Sequence, residues 1–326
     1  MSALLVETAG ERVALECALP WVRELLLEAA GGALGSGAAA TASVRVQVEA
    51  ARAPFPTRGF ALLTRCAWRR DREVVLENAC SSGFDLRVVC AGDESATVVC
   101  RFRPPRRERV AALLLRSRFH LLARAVLLQY PALWWAGTRG RAPLHASALR
   151  TATATPLLVS PGGVGRSTLV REELERGAAA TGDNLTVGDG ETVWGVVEPL
   201  RLEGGEGRRM PHGRREAPLA RRVDALVPDA LVVVERVDAA ARALRPCTAA
   251  AAVRALVAST YMAGELRRYW AFAATLAAGT GLGSAHPPVE AVASELADRL
   301  PCLSLVLGSR PAPRLSELLE PLEAAP

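Results

Sequence analysis

The chain has 326 residues, half of them apolar, and a formal charge of +6 at pH 7. That is enough for one large domain or two ordinary ones, each with a buried core. No uncharged apolar run approaches the roughly 20 residues that a spanning helix needs, and the first residues lack a basic stretch followed by an apolar one. No membrane segment or secretory signal is therefore expected, and cytoplasmic residence is the default.

The seven cysteines (Cys17, Cys66, Cys80, Cys90, Cys100, Cys247 and Cys302) are scattered, with no C-x-x-C pair. They read as buried, reduced thiols; the spacing of Cys80, Cys90 and Cys100 is too wide for the usual zinc pairs. The chain contains no lysine, and all 40 basic residues are arginine. With so much Ala and Gly, this fits a GC-rich coding sequence. Two arginine clusters stand out: Arg101, Arg103, Arg106, Arg107, Arg109, Arg116 and Arg118, then Arg208, Arg209, Arg214, Arg215, Arg221 and Arg222. Such patches attract phosphates, acidic peptides or nucleic acid. Aromatics are only 5% of the chain and no nucleic-acid motif accompanies the arginines, which argues against nucleic acid.

In chain order, a helix is predicted near 20–29 and a flexible small-residue loop over 30–42. The alternation SVRVQVEA over 43–50 predicts a half-buried strand, with similar character at 60–66, 73–77 and 96–103. Residues 1–105 thus read as a mainly β (α+β) domain of unassigned role, closed by Pro104-Pro105. Residues 107–129 read as one long bridging helix carrying His120, and 137–142 as a connector, so that 106–140 joins two halves. From 141 onward, strands alternate with helices. Strands are expected at 143–149, 157–160, toward Asp183, near 192–197, at 231–236 and at 303–308. Helices are expected at 167–176, 248–258, 261–278 and 288–299. The second half, 141–326, is an α/β domain.

The segment LLVSPGGVGRSTLV at 157–170 has the parts of a phosphate loop. An apolar strand anchors it, glycines let the backbone amides curl around an anion, and a helix N-terminus abuts the same charge. Against the pattern Gly-x-x-x-x-Gly-Lys-Ser/Thr, Ser160 stands for the first glycine and Arg166 for the lysine. Pro161, Gly162, Gly163, Val164, Gly165, Arg166, Ser167 and Thr168 are the candidate phosphate contacts, and the Ser167 hydroxyl is placed for magnesium. Asp183, in TGDNLTV, is expected at a strand end beside the loop, as a metal ligand or a proton acceptor, with Asn184 adding a hydrogen bond. His145, on the strand before the loop, is expected to face the same pocket. Gly204–Gly207 reads as a turn or a substrate loop.

Leu144-His145-Ala146, the loop Ser160–Ser167, Gly177 and Gly182-Asp183-Asn184 together resemble the HPr kinase/phosphorylase family and its kinase-like relatives. The resemblance spans about 143–326, its specific part 143–184. It implies a nucleotide fold like that of phosphoenolpyruvate carboxykinase, with ATP and Mg²⁺ as cofactors and transfer of the γ-phosphoryl group to a serine hydroxyl. Gly163, Gly165, Arg166 and Ser167 would then hold the phosphates. Asp183 would be base or metal ligand and His145 the family histidine. Asn184 stands where the family has a second aspartate. Relatives in peptide-maturation systems suggest a peptide acceptor; a small-molecule hydroxyl is the other option, and Arg214 and Arg215 are candidate contacts to it. A partner enzyme and a homo-oligomer fit the same setting. The alternative expectation is a catalytically impaired relative that binds a peptide or partner enzyme as a scaffold. Other nucleotide chemistry, such as decarboxylation or hydrolysis, comes third.

Overall fold

The computed structural model describes residues 3–30, 34–35, 41–204, 208–210, 213–237, 242–308 and 314–319. It is a mixed α/β protein with several mixed sheets. Residues 205–207 of the predicted GGEG loop, and 31–33 and 36–40 of the predicted 30–42 loop, lie outside the described residues. Among the described residues, no helix is long and apolar enough to cross a membrane. The chain forms two units. The first takes 1–140, 206–215 and 268–287; the second takes 141–205, 216–267 and 288–326. Strands and helices are numbered below in chain order.

The first unit is built on a nine-stranded sheet in the order β3-β1-β2-β4-β9-β8-β7-β6-β5. Its strands are β1 (Leu4–Thr8), β2 (Glu11–Cys17), β3 (Leu34–Gly35), β4 (Val44–Glu49), β5 (Ala61–Thr64), β6 (Ala67–Arg70), β7 (Glu73–Leu76), β8 (Phe84–Ala91) and β9 (Ser95–Phe102). β4 shows why the alternation is legible: Val44, Val46 and Val48 are buried while Arg45, Gln47 and Glu49 are half-exposed. Helix α1 (Pro20–Ala30) buries Val22, Leu25 and Leu26.

The long helix expected over 107–129 is broken. Helix α2 (Arg106–Leu114) stops at Leu115, whose φ of −121° and ψ of 54° are not helical, and α3 (Arg116–Arg124) starts anew. The reason is packing: α2 buries no residue at all, whereas α3 buries Ala123 and Arg124, so one straight helix would not serve both. A π-helical turn at Ala125–Gln129 leads into α4 (Tyr130–Gly137), every residue of which but Gly137 is buried. The expected bridge is thus part of the first unit.

The second unit holds β10 (Ala142–Leu144), β11 (Ala146–Arg150), β12 (Pro156–Val159), α5 (Arg166–Leu174), β13 (Ala179–Ala180), β14 (Thr186–Gly188), β15 (Val193–Gly195) and β16 (Leu200–Leu202). The two short strands β17 (Arg208–Arg209) and β18 (Arg215–Ala217) follow, the first of them in the first unit. The second unit continues with β19 (Ala225–Leu226), β20 (Ala230–Arg236), β21 (Ala243–Pro246) and α6 (Ala249–Met262). The Thr248 side chain starts α6, accepting a hydrogen bond from the Ala251 amide. Helix α7 (Tyr269–Thr280) belongs to the first unit; α8 (Val289–Arg299), β22 (Cys302–Leu307) and α9 (Leu315–Leu319) complete the second.

Six strands form the sheet β13-β11-β12-β20-β22-β21, with β12, β20 and β22 mutually parallel. Leu157, Leu158, Val159 and Leu231–Val234 are buried without interruption, as parallel strands covered on both faces require. Leu158, Val232 and Leu305 share one core with Leu169, Val170 and Leu174 of α5, so that helix lies fixed against the sheet.

Two further expectations change. The strand expected over 143–149 divides at His145: β10 pairs with β14 in a four-stranded sheet, and β11 pairs with β12 in the six-stranded one. The helix expected over 261–278 is two pieces, because α6 ends at Ala263 in extended backbone and the chain turns before α7. The stretch 268–287 then joins the first unit, so 141–326 is not one continuous domain. Its anchors are Tyr269 and Phe272, whose rings stand 5.6 and 5.7 Å from that of Tyr130. The thiols also depart from expectation: Cys17 and Cys100 are buried, Cys66 is exposed and the other four lie between.

Leu305 is fully buried at the centre of the parallel strands. Leu305→Ala is expected to lower the unfolding free energy by about 2–5 kcal/mol in urea titration. The same truncation at the exposed Leu62 should change it by less than about 0.5 kcal/mol.

Candidate functional site

The predicted loop lies between β12 and α5, at the carboxyl end of the parallel strands, where α/β sheets place their ligands. Pro161, Gly162, Gly163 and Thr168 are exposed, Val164, Gly165 and Ser167 half-buried, Ser160 and Arg166 buried. Gly163 has φ +86° and Gly165 φ +118°, a left-handed backbone that turns the chain into the first turn of α5. A side chain at Gly165 would also crowd Leu307 and the Arg236 guanidinium, with Arg236 Nη2 at 3.0 Å from its Cβ. Arg236, at the end of β20 and exposed, donates from Nε to the Val164 carbonyl at 3.0 Å. A cation therefore stands against the outer side of the loop.

Arg166 does not point there. Its guanidinium is buried and donates from Nη1 to the His145 carbonyl at 2.8 Å. Nη2 lies 2.9 Å from His145 Nε2 and 3.2 Å from Asn184 Oδ1. A guanidinium can only donate, so His145 Nε2 carries the lone pair and the ring proton sits on Nδ1. Burial, and then Arg166, push the His145 pKa down to about 3, so the ring is neutral at physiological pH. His145 reaches this place because the chain switches sheets there; its own amide donates to Thr260 Oγ1 on α6 at 3.0 Å.

Asn184 passes the contact on. Its Nδ2 donates to Asp183 Oδ2 at 2.9 Å, and the Arg201 amide donates to the same oxygen at 3.0 Å. Asp183 is fully buried and its Oδ1 has no hydrogen-bond partner. Burial raises the Asp183 pKa; the Arg201 amide, Arg166 and the nearby Ser167 hydroxyl work against that rise. The turn bearing Asp183 is held tightly. The Ser147 hydroxyl donates to the Gly182 carbonyl, and Gly195 lets β15 pass so close to Thr181 that a Cβ would lie 1.9 Å from the carbonyl oxygen.

Three charged residues of this network, Glu198, Arg201 and Glu265, escaped the sequence reading. Glu198 Oε1 accepts from the amides of Asn184 and Leu185 at 2.5 and 2.6 Å. Arg201 is ion-paired to Glu265, with Glu216 at 3.8 Å and Glu198 at 3.9 Å. Burial lifts Glu198 to about 7, with Asp183 adding to the rise; burial also lifts Glu265, but Arg201 overrides it and holds that carboxyl at about 2. The one available signal was Glu198 and Arg201 embedded in the apolar run VWGVVEPLRL. Arg236 had no signal beyond its place at a strand end.

Arg214 and Arg215, the candidate acceptor contacts, belong to the first unit and are half-buried, each already engaged in an interaction. Among the described residues, no three His, Cys, Asp or Glu side chains cluster as a metal cage. No protein-family model matches the chain, and no curated protein matches it.

Glu198 makes a pH prediction. Its pKa in the folded chain, about 7, lies above the ordinary 4.5, so between those values the folded state holds more protons than the unfolded one. Its contribution is complete below pH 4.5 and is lost as pH rises through 7. From about pH 5 to about pH 8.5 the wild type should lose on the order of 3 kcal/mol more stability than Glu198→Gln, read by urea unfolding. Parallel slopes for the two proteins would contradict the buried position of Glu198.

Proposed function

We propose that the second unit is an HPr-kinase-like nucleotide-binding domain that binds ATP with Mg²⁺ and transfers the γ-phosphoryl group to a hydroxyl of a peptide or small molecule. The observation that carries this reading is the strand–turn–helix at 156–174. Gly163 and Gly165 are left-handed, the tip is exposed, and the carboxylate of Asp183 lies beside Ser167 with one oxygen unpaired. The order of His145, loop and Asp183-Asn184 along the chain supports it as a resemblance.

The residues fit a magnesium ion. Asp183 Oδ1 lacks a partner, Ser167 offers a hydroxyl, and Mg²⁺ commonly takes one or two carboxylates and leaves its other positions to water and phosphate. Ser167 and Asp183 would hold the ion, which would screen phosphate charge.

The chain's own groups would do the rest. Backbone amides over 162–167 and the positive end of α5 hold the β- and γ-phosphates. Arg236 supplies the cation on the solvent side, where Arg166 cannot. The acceptor oxygen bonds to the γ-phosphorus as the bond to the β–γ bridging oxygen breaks and ADP leaves. The acceptor proton passes to Asp183, whose raised pKa suits that role.

One observation favours the second reading, a scaffold that binds nucleotide or peptide without turnover. Arg166 spends its guanidinium on His145 and Asn184, so the position of the family lysine contributes nothing directly to a phosphate.

Calorimetric titration with MgATP should give saturable binding. It should weaken by about tenfold in Arg236→Ala and fall beyond detection in Gly165→Val, with both variants folded by circular dichroism. A folded wild type that binds no nucleoside triphosphate overturns the assignment. With serine-containing peptides, ADP release that falls by about 10²–10⁴ in an Asp183→Asn variant that stays folded by circular dichroism supports the kinase. Tight binding without ADP release supports the scaffold.

A further inference from the structure

Helix α2 of the first unit is unusual: it buries none of its residues. Val110, Leu113 and Leu114 are 54, 73 and 77% exposed, and Leu115 follows at 46%. Contiguous exposed apolar groups of this kind mark interaction surfaces. At about 3.6 residues per turn, Val110, Leu113 and Leu114 fall on one arc, with Arg107 and Arg109 at its two borders. Arg116 and Arg118 are exposed just beyond. The only acid on α2 is Glu108, ion-paired to Arg107. Among the described residues, Arg109, Arg116 and Arg118 have no ion-pair partner.

The inner side of α2, opposite that arc, faces Ser81 and Ser82 across a shallow cleft that Glu108, Ala111, Ala112 and Leu115 also line. The second arginine-rich segment is tied to the same face, for Ser117 donates to the Arg209 carbonyl at 2.9 Å and Arg209 is exposed.

We propose that the exposed face of α2 docks an acidic amphipathic peptide segment. Its apolar residues lie on Val110, Leu113 and Leu114, and its carboxylates meet Arg109 and Arg116. Charge decides the occupant. A second copy of this chain would set the same arginines against each other across a symmetric interface. A flat bilayer would gain only three apolar side chains from a nine-residue helix. Leucines between the arginines give a nucleic-acid backbone nothing to bind. The proposal goes beyond the nucleotide reading by naming a peptide surface in the other unit, and it needs no ATP, so the two can fail separately.

The test uses the full chain without nucleotide and a fluorescein-labelled amphipathic peptide, leucine on one face and glutamate on the other. A second peptide with lysine for glutamate, and phosphatidylserine/phosphatidylcholine vesicles, serve as the other arms. Anisotropy should show saturable binding of the acidic peptide, at least about tenfold tighter than the lysine peptide and weakened by high salt. Arg109→Glu with Arg116→Glu should weaken it by about tenfold or more, and Leu114→Ser by about fivefold, with melting temperatures unchanged because all three residues are exposed. Equal affinity for both peptides, indifference to these substitutions, or binding to vesicles without binding to peptide would overturn the proposal; the last would assign the face to a membrane.

Discussion

A guanidinium sealed under a glycine loop constrains everything around it. Arg166 opens helix α5 yet is buried, and a buried charge left without acceptors costs several kcal/mol. Its planar fork requires acceptors at fixed positions. The His145 carbonyl, the His145 ring and Asn184 Oδ1 supply them, from two segments far apart in sequence. The break between β10 and β11, the neutral tautomer of His145 and the orientation of the Asn184 amide all follow from that single requirement. Asn184 in turn sets Asp183 Oδ2, so the arginine acts on the carboxylate through an amide relay rather than by direct contact.

The relay shows why asparagine is chemically apt at 184. The residue there accepts from Arg166 and donates to Asp183 at once, and a side-chain amide does both from two separate atoms. A second aspartate would place a like charge against Asp183 in a site where Glu198 already responds to burial and to Asp183 with a pKa near 7. Arginine at 166 and asparagine at 184 therefore suit one another: the cation turns inward, and no second carboxylate meets Asp183.

The local part of this site was legible. Strand, glycine turn and helix are consecutive in sequence, so the loop 160–168 and its capping geometry announce themselves, as does the alternation in β4. What was not legible depends on distance along the chain. Glu198, Arg201 and Glu265 look like ordinary charges until folding buries them together, and no period marks that. The bridging helix failed because Leu113, Leu114 and Leu115 look like core residues, whereas α2 leaves them exposed. The second domain failed as a continuous stretch for a similar reason. Tyr269–Thr280 carries a buried face that fits Tyr130, and apolar pattern alone does not say which core a face will join.

Position and charge settle what Arg166 and Arg236 can each do. An inward arginine cannot follow a phosphate, because moving it would strip Asn184 and His145 of their donor inside a site of low polarity. It can lower the cost of keeping Asp183 ionised, which is a role in tuning rather than in grasping. In the proposed nucleotide site the cation that meets a phosphate would then come from outside the network, with solvent around its free nitrogens and one contact to hold it in place. Arg236 meets those terms through its bond to the Val164 carbonyl. On that proposal, the two jobs that a lysine's flexible point charge combines would be divided between a fixed arginine beneath the loop and an exposed one against it.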